Sequence, residues 1–107
     1  LGESNVRVNS ISPGAIATGI LAKALGMDAG KADQIAEGMK AGFAKAQPIP
    51  RAGLPDDIAQ CALFLASDRG SFINATDIVV DGGVIGGRQY SPHQEMLKQT
   101  KAALGIG

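Results

Sequence analysis

The 107-residue chain has one cysteine, one histidine, one tyrosine and no tryptophan, and its ten basic residues balance ten acidic ones. A lone Cys61 cannot form an internal disulfide, which favours a reducing compartment, and a cytoplasmic location is expected. A lone His93 has no second imidazole or thiol cluster beside it, so no metal site is expected. Without a basic block or aromatic-interleaved patch, no nucleic-acid partner is expected. No apolar run reaches the ~20 residues of a membrane span, and no signal peptide is visible, so no membrane partner is expected either. Glycine is the exception to this sparseness. Fifteen glycines are about twice the usual ~7% share, and with 45% hydrophobic residues they indicate tight turns and close backbone approaches rather than disorder.

The length suits a single domain. Residues 5–11 alternate, with Val6 and Val8 on one face and Arg7, Asn9 and Ile11 on the other, which predicts a strand. Ser12-Pro13-Gly14 stops it. A short turn or helix is expected over 20–26. Ala32, Ile35, Ala36, Met39, Phe43 and Ala46 fall at helical spacing and predict a helix over 31–46, weakened by about 1 kcal/mol at each of Gly38 and Gly42. A proline-punctuated connector follows at 47–53. Pro55, with Asp56 and Asp57 beside it, opens a helix whose stripe is Ile58, Cys61, Ala62 and Leu65. Residues 77–81, Asp-Ile-Val-Val-Asp, predict a parallel strand buried on both faces, closing on Gly82-Gly83. The tail carries its own helix signal, with Ser91 as N-cap, Pro92 first in the helix, Gln94 completing a capping box, and Gly105 as the stop.

Strand, helical excursion, helix and strand make a crossover between parallel strands, and ligands bind beyond the carboxyl ends of such strands. Two strands do not make a stable sheet. Further strands are therefore expected outside these residues, and Leu1 in place of an initiator Met agrees with a piece of a longer polypeptide.

Three blocks carry a resemblance. They are Val6-Arg7-Val8-Asn9-Ser10-Ile11-Ser12-Pro13-Gly14-Ala15-Ile16-Ala17-Thr18, then Arg51-Ala52-Gly53-Leu54-Pro55-Asp56-Asp57-Ile58-Ala59 with Leu63-Phe64-Leu65-Ala66-Ser67-Asp68, and Ile73-Asn74-Ala75-Thr76-Asp77-Ile78-Val79-Val80-Asp81-Gly82-Gly83. In this order they resemble the sixth strand and loop, the penultimate helix and the last strand of the short-chain dehydrogenase/reductase family. The resemblance implies an α/β fold, the C-terminal part of a Rossmann-like doubly wound parallel sheet, incomplete on its own. It implies one NAD(P)-binding domain, with residues 19–50 as a substrate-binding lid and 84–107 as a tail that departs from the family pattern.

By the same resemblance, Pro13, Gly14, Ile16 and Thr18 are cofactor-binding. Ile16 would offer backbone N–H and C=O to the carboxamide of NAD or NADP, and the Thr18 hydroxyl would bond the carboxamide or phosphate. Ala15, Gly19, Leu21 and Met39 would meet a small alcohol or ketone substrate. The family's glycine-rich phosphate loop and its catalytic Ser and Tyr-x-x-x-Lys are not present; Tyr90 is followed four residues later by Gln94, so no catalytic residue is assigned. Those parts would come from an N-terminal segment of the same protein. The implied function is hydride transfer between nicotinamide and a secondary alcohol or ketone, with this segment supplying cofactor contacts, the lid and the surface of a homodimer or homotetramer through Ile78, Val79, Val80 and the 58–66 face. The alternative is a non-catalytic assembly module derived from such an enzyme. Arg51 is expected to fix the connector, Cys61 to be inertly buried, and Asp81 to bond the turn that follows it.

Overall fold

The computed structural model describes residues 1–107. After a single 3-10 turn at Gly2–Ser4, the elements are β1 (Ser10–Pro13), α1 (Ile20–Ala24), α2 (Ala29–Phe43), α3 (Pro55–Ala66), a second 3-10 turn (Asp68–Gly70), β2 (Asp77–Val80) and α4 (Tyr90–Ala103). β1 and β2 pair in parallel, with Ser10 opposite Asp77 and Pro13 opposite Val80, and α3 packs on both strands. The expected crossover between parallel strands is therefore present, in an α/β arrangement.

The first strand is shorter than its alternation predicts. It begins at Ser10 because asparagine side chains take the place of ladder bonds before it. Val8 N–H donates to Asn74 Oδ1 at 2.9 Å, Thr76 N–H to Asn9 Oδ1 at 3.2 Å, and Asn9 Nδ2 to the Ile73 carbonyl at 3.0 Å. Arg7, on the face opposite Val6 and Val8, donates to the carbonyls of Leu65 (2.6 Å) and Ile73 (3.2 Å). It thereby ties the end of α3 and the lead-in to β2 to this extended segment.

The helix α2 starts two residues earlier than its stripe implies, because Asp28 caps it by accepting from Lys31 N–H at 3.0 Å. Only the small members of the stripe, Ala32 and Ala36, are buried; Ile35 is exposed. Ala46 lies beyond the helix end. The tail helix also starts early, at Tyr90, with Gln89 rather than Ser91 at the cap position and no side-chain capping bond. Gly105 does end it, at φ +65°, where Ile106 N–H reaches back to the Lys101 carbonyl.

The expectation of a second strand buried on both faces is corrected. Ile78 and Val80 are half-buried, but Val79 is 42% exposed. One helix cannot cover both faces of a pair of strands. The same incompleteness holds throughout: eight of 107 residues are buried. The radius of gyration is 18.8 Å and the dimensions are 64 × 39 × 19 Å, whereas a domain of this length with its own core has a radius of gyration near ~13 Å. The chain folds locally but does not enclose a core of its own. No helix is long and apolar enough to cross a membrane.

Candidate cofactor loop and connector site

The loop after β1 is built by two close backbone approaches. Gly14 N–H donates to the Val80 carbonyl at 3.0 Å. A Cβ on Gly14 would lie 2.5 Å from Asp81 Cβ and 2.6 Å from its Cα, so the glycine is required by the contact between the strand ends. Pro13 is the last residue of β1, as a residue without an N–H can be where the ladder stops.

The chain then makes a single parallel bridge between Ile16 and Gly53. Ala17 N–H donates to the Gly53 carbonyl (2.8 Å), and Gly53 N–H donates to the Ala15 carbonyl (3.1 Å). A side chain at 53 would meet Ile16 Cδ1 at 2.5 Å, so glycine permits the bridge. In this pattern the bonds to Gly53 come from residues 15 and 17. The N–H and C=O of Ile16 itself have no partner in the chain. They form one donor and one acceptor on a single residue, held by bonds on either side.

A cleft of about 250 Å³ adjoins this segment, lined by Ala15, Ile16, Gln47, Ile49, Arg51 and Gly53, with Asp57 and the β2 end at 80–82. Its far wall is braced by charge. Arg51 forks onto Asp57 with two bonds of 2.7 Å, while Asp57 also accepts from Leu54 N–H at 2.8 Å. The Arg51 hydrogen bonds, then the Leu54 amide, hold the Asp57 carboxyl down at about 2, and Asp57 in turn raises Arg51. Arg51 thus fixes the connector to the first turn of α3, in line with its expected structural role. Across the sheet, the hydroxyls of Ser10 and then Ser12 lower the Asp77 pKa. Asp81 accepts from Gly83 N–H (2.7 Å) and Ile85 N–H (3.1 Å), which closes the turn as its position implied.

Thr18 and Gly19 face a second cleft, shared with Asp33, Glu37 and Lys40 of α2 and with 54–56 at the start of α3. The Thr18 oxygen accepts a long bond (3.4 Å) from Ile20 N–H at the start of α1. Gly19 backs closely onto Ala32, and the buried Ala22 and Ala32 (2% and 0% exposed) join α1 to α2. Leu21 is 55% exposed and Met39 half-buried; neither lines either cleft. The expected site residues therefore divide, with Ala15 and Ile16 on one side of the loop, Thr18 and Gly19 on the other, Pro13 and Gly14 at its root, and Leu21 and Met39 apart. Cys61 is half-buried on α3.

Gln47 is the residue that sequence reading missed. It is 2% exposed, donates from Nε2 to the Arg51 carbonyl at 2.5 Å, and keeps a shielded Oε1 without a partner. Its only signal in the sequence is an uncharged polar residue directly before Pro48-Ile49-Pro50, which reads equally well as solvent-facing.

Known proteins share this arrangement. Residues 1–85 match the family model described as enoyl-(acyl carrier protein) reductase. The NAD-dependent glycerol dehydrogenase of Listeria innocua is 42% identical over 79 residues, covering 74% of this chain and 27% of that protein. The 3-oxoacyl-(acyl-carrier-protein) reductase of Chlamydia pneumoniae is 39% identical over 80 residues, covering 75% and 28%. Among solved structures, a 4-hydroxyisoleucine dehydrogenase complexed with NADH superposes with a TM-score of 0.57 at 34% identity, covering 81% of this chain and 30% of that one. A Burkholderia thailandensis oxidoreductase of the short-chain dehydrogenase/reductase family does so with a TM-score of 0.62 at 26% identity, covering 90% and 34%. The chain spans less than a third of the length of these curated relatives. With its strand-end glycine, bridged loop and parallel crossover, it belongs to the short-chain dehydrogenase/reductase family and corresponds to the C-terminal portion of that fold.

Proposed function

We propose that these residues form the nicotinamide side of an NAD(P)-dependent oxidoreductase that moves a hydride between the cofactor and a secondary alcohol or ketone. The observation that carries this reading is the unpartnered N–H and C=O of Ile16, because a carboxamide presents the complementary acceptor and donor. Neighbouring bonds through Ala15, Ala17 and Gly53 hold both groups in place before any ligand arrives, so little ordering is needed on binding. The Thr18 hydroxyl follows two residues later, with its proton free to donate. When bound, the cofactor supplies the hydride; this chain orients the ring and its lid helices exclude water. Catalytic Ser, Tyr and Lys come from a segment outside these residues. The glycerol dehydrogenase relative is NAD-dependent, and the 4-hydroxyisoleucine dehydrogenase structure is complexed with NADH. The residue that reads the ribose 2′ position in this fold follows an earlier strand, so NAD and NADP both fit what is present. Residues 19–50 serve as the lid over an alcohol or ketone, and the complete protein assembles as a homodimer or homotetramer.

Thr18→Val tests the assignment in the intact enzyme. Loss of one hydrogen bond to an anionic or amide group raises KM for the nucleotide by about tenfold, with unfolding unchanged because Thr18 supports only one long internal bond. An unchanged KM would place the cofactor elsewhere.

A further inference from the structure

Beyond residue 85, where the family match ends, the tail is almost free-standing. α4 has no buried residue and packs on no other helix or strand. It is nevertheless fastened at one point. Gln89, half-buried in front of α4, donates from Nε2 to the carbonyls of Ala44 (2.8 Å) and Gln47 (2.9 Å), 45 and 42 residues away. No other hydrogen bond joins residues 88–107 to the rest of the chain. Both hydrogens of one amide nitrogen are spent on these acceptors, which a hydroxyl, with one hydrogen, and a carboxylate, with none, cannot reproduce. Gln89 makes these bonds in place of a capping bond, and α4 has no side-chain cap.

From Gln47 a run of bonds leads to the cofactor loop. Gln47 is 2% exposed, and its own Nε2 donates to the Arg51 carbonyl at 2.5 Å. Its Cγ lies against Gly82 just beyond β2, where a Cβ would come within 2.9 Å of it. Ile49 N–H bonds the Gly82 carbonyl at 3.1 Å. The connector is thus held at 47, 49 and 51. Two residues further on, Gly53 frames Ile16 by accepting from Ala17 N–H and donating to the Ala15 carbonyl. Gln47 Oε1 has no partner, so the Arg51 bond alone orients this side chain, and its reach depends on where the Gln47 backbone is fixed. Gln89 fixes that backbone.

We propose that Gln89 is a positioning residue for the cofactor loop. By holding the Ala44 and Gln47 carbonyls it sets the start of the connector. Through Gln47, Arg51 and Gly53 it keeps the N–H and C=O of Ile16 where a carboxamide meets them. This role rests on the reading of Ile16 as the carboxamide contact. It gives a tail outside the family match a part in cofactor binding without touching the cofactor.

The test compares the intact enzyme with Gln89→Met, which keeps the length of the side chain and removes both donors. Amide hydrogen exchange is followed at Ala17 and Gly53, the donors that frame Ile16. Binding is measured for NADH and for ADP-ribose, which lacks the nicotinamide; NADPH and the 2′-phosphorylated fragment serve for an enzyme that takes NADP. Exchange at both amides is expected to quicken about tenfold, as a local opening becomes easier. NADH binding weakens about tenfold, roughly the loss of one hydrogen bond, with ADP-ribose affinity unchanged. Unchanged exchange overturns the proposal, as does equal weakening of both ligands, the mark of a merely structural change. Faster exchange with unaltered NADH affinity instead fails the Ile16 reading, and the positioning role with it. Adding Gln89→Met to Gln47→Met brings little further loss if the relay is already cut; full additivity overturns the route through Gln47.

Discussion

Asp57 concentrates three constraints in one side chain. It takes both branches of the Arg51 guanidinium and the Leu54 amide, and so joins the connector to the first turn of α3. Its folded-state pKa of about 2 is lower than that of an unstructured aspartate, ~3.9. The folded state therefore binds fewer protons than the unfolded state between these values, and stability rises with pH across that window. The contribution is fully present above about pH 4 and is lost as pH falls through about 2. In the intact protein, Asp57→Asn is expected to flatten the acid-unfolding curve over this interval, measured by circular dichroism against the unsubstituted protein. A parallel decline in both would remove Asp57 from this role. Gly14 shows a different kind of residue-level demand. A Cβ at this position would collide with Asp81, so strand-end packing requires a glycine here, whatever the loop holds.

At the level of elements, α2 is weakened from within. α2 contains Gly38 and Gly42 in its interior, and a Cβ at either position would meet nothing within 4 Å. Replacing both by alanine is expected to stabilise α2 by about 1 kcal/mol per site, since alanine restricts the unfolded chain and fits the helix without strain. Hydrogen exchange of the α2 amides in the intact protein reads this directly, and slower exchange is the expected result. If lid opening limits turnover, kcat falls in the same variant. Unchanged exchange would mean that neighbouring packing already holds α2. α1 is tied to this helix by alanines rather than by large side chains; Ile20, Leu21 and Leu25 are 72%, 55% and 75% exposed. The apolar residues that make these helices conspicuous in the sequence are thus the ones still waiting for a surface.

The whole molecule shows the same condition on a larger scale. With eight buried residues and a radius of gyration of 18.8 Å, the chain lacks the burial that offsets the conformational entropy of folding. Leu63, Phe64, Phe72 and Val79 are all at least 42% exposed. Produced alone, the 107 residues are expected to bind an apolar dye such as ANS, to melt without a sharp transition, and to show no tight NAD(H) binding in isothermal titration. A cooperative melt with a large enthalpy would contradict the open architecture.

Much of this was legible from the order of residues because it depends on neighbours along the chain. The break at Pro13-Gly14, the Pro55 helix start, the 77–80 strand and the Gly105 stop follow from dihedral freedom, missing donors and apolar periodicity, which act over a few residues. The parallel crossover follows from their order. Tertiary structure decided what depends on distant partners. Asn9 and Asn74 replace ladder bonds and shorten β1. Gln89 turns to the Ala44 and Gln47 carbonyls and displaces Ser91 from the cap, and Gln47 is buried between segments that a linear pattern leaves unconnected. Ile16 was singled out by resemblance, but only the bridge to Gly53 leaves its N–H and C=O together without partners. Local sequence sets which conformations a segment can adopt, whereas the pairing of polar groups across 40 to 70 residues is settled only when the chain is folded, because each group takes the partner that burial leaves within reach.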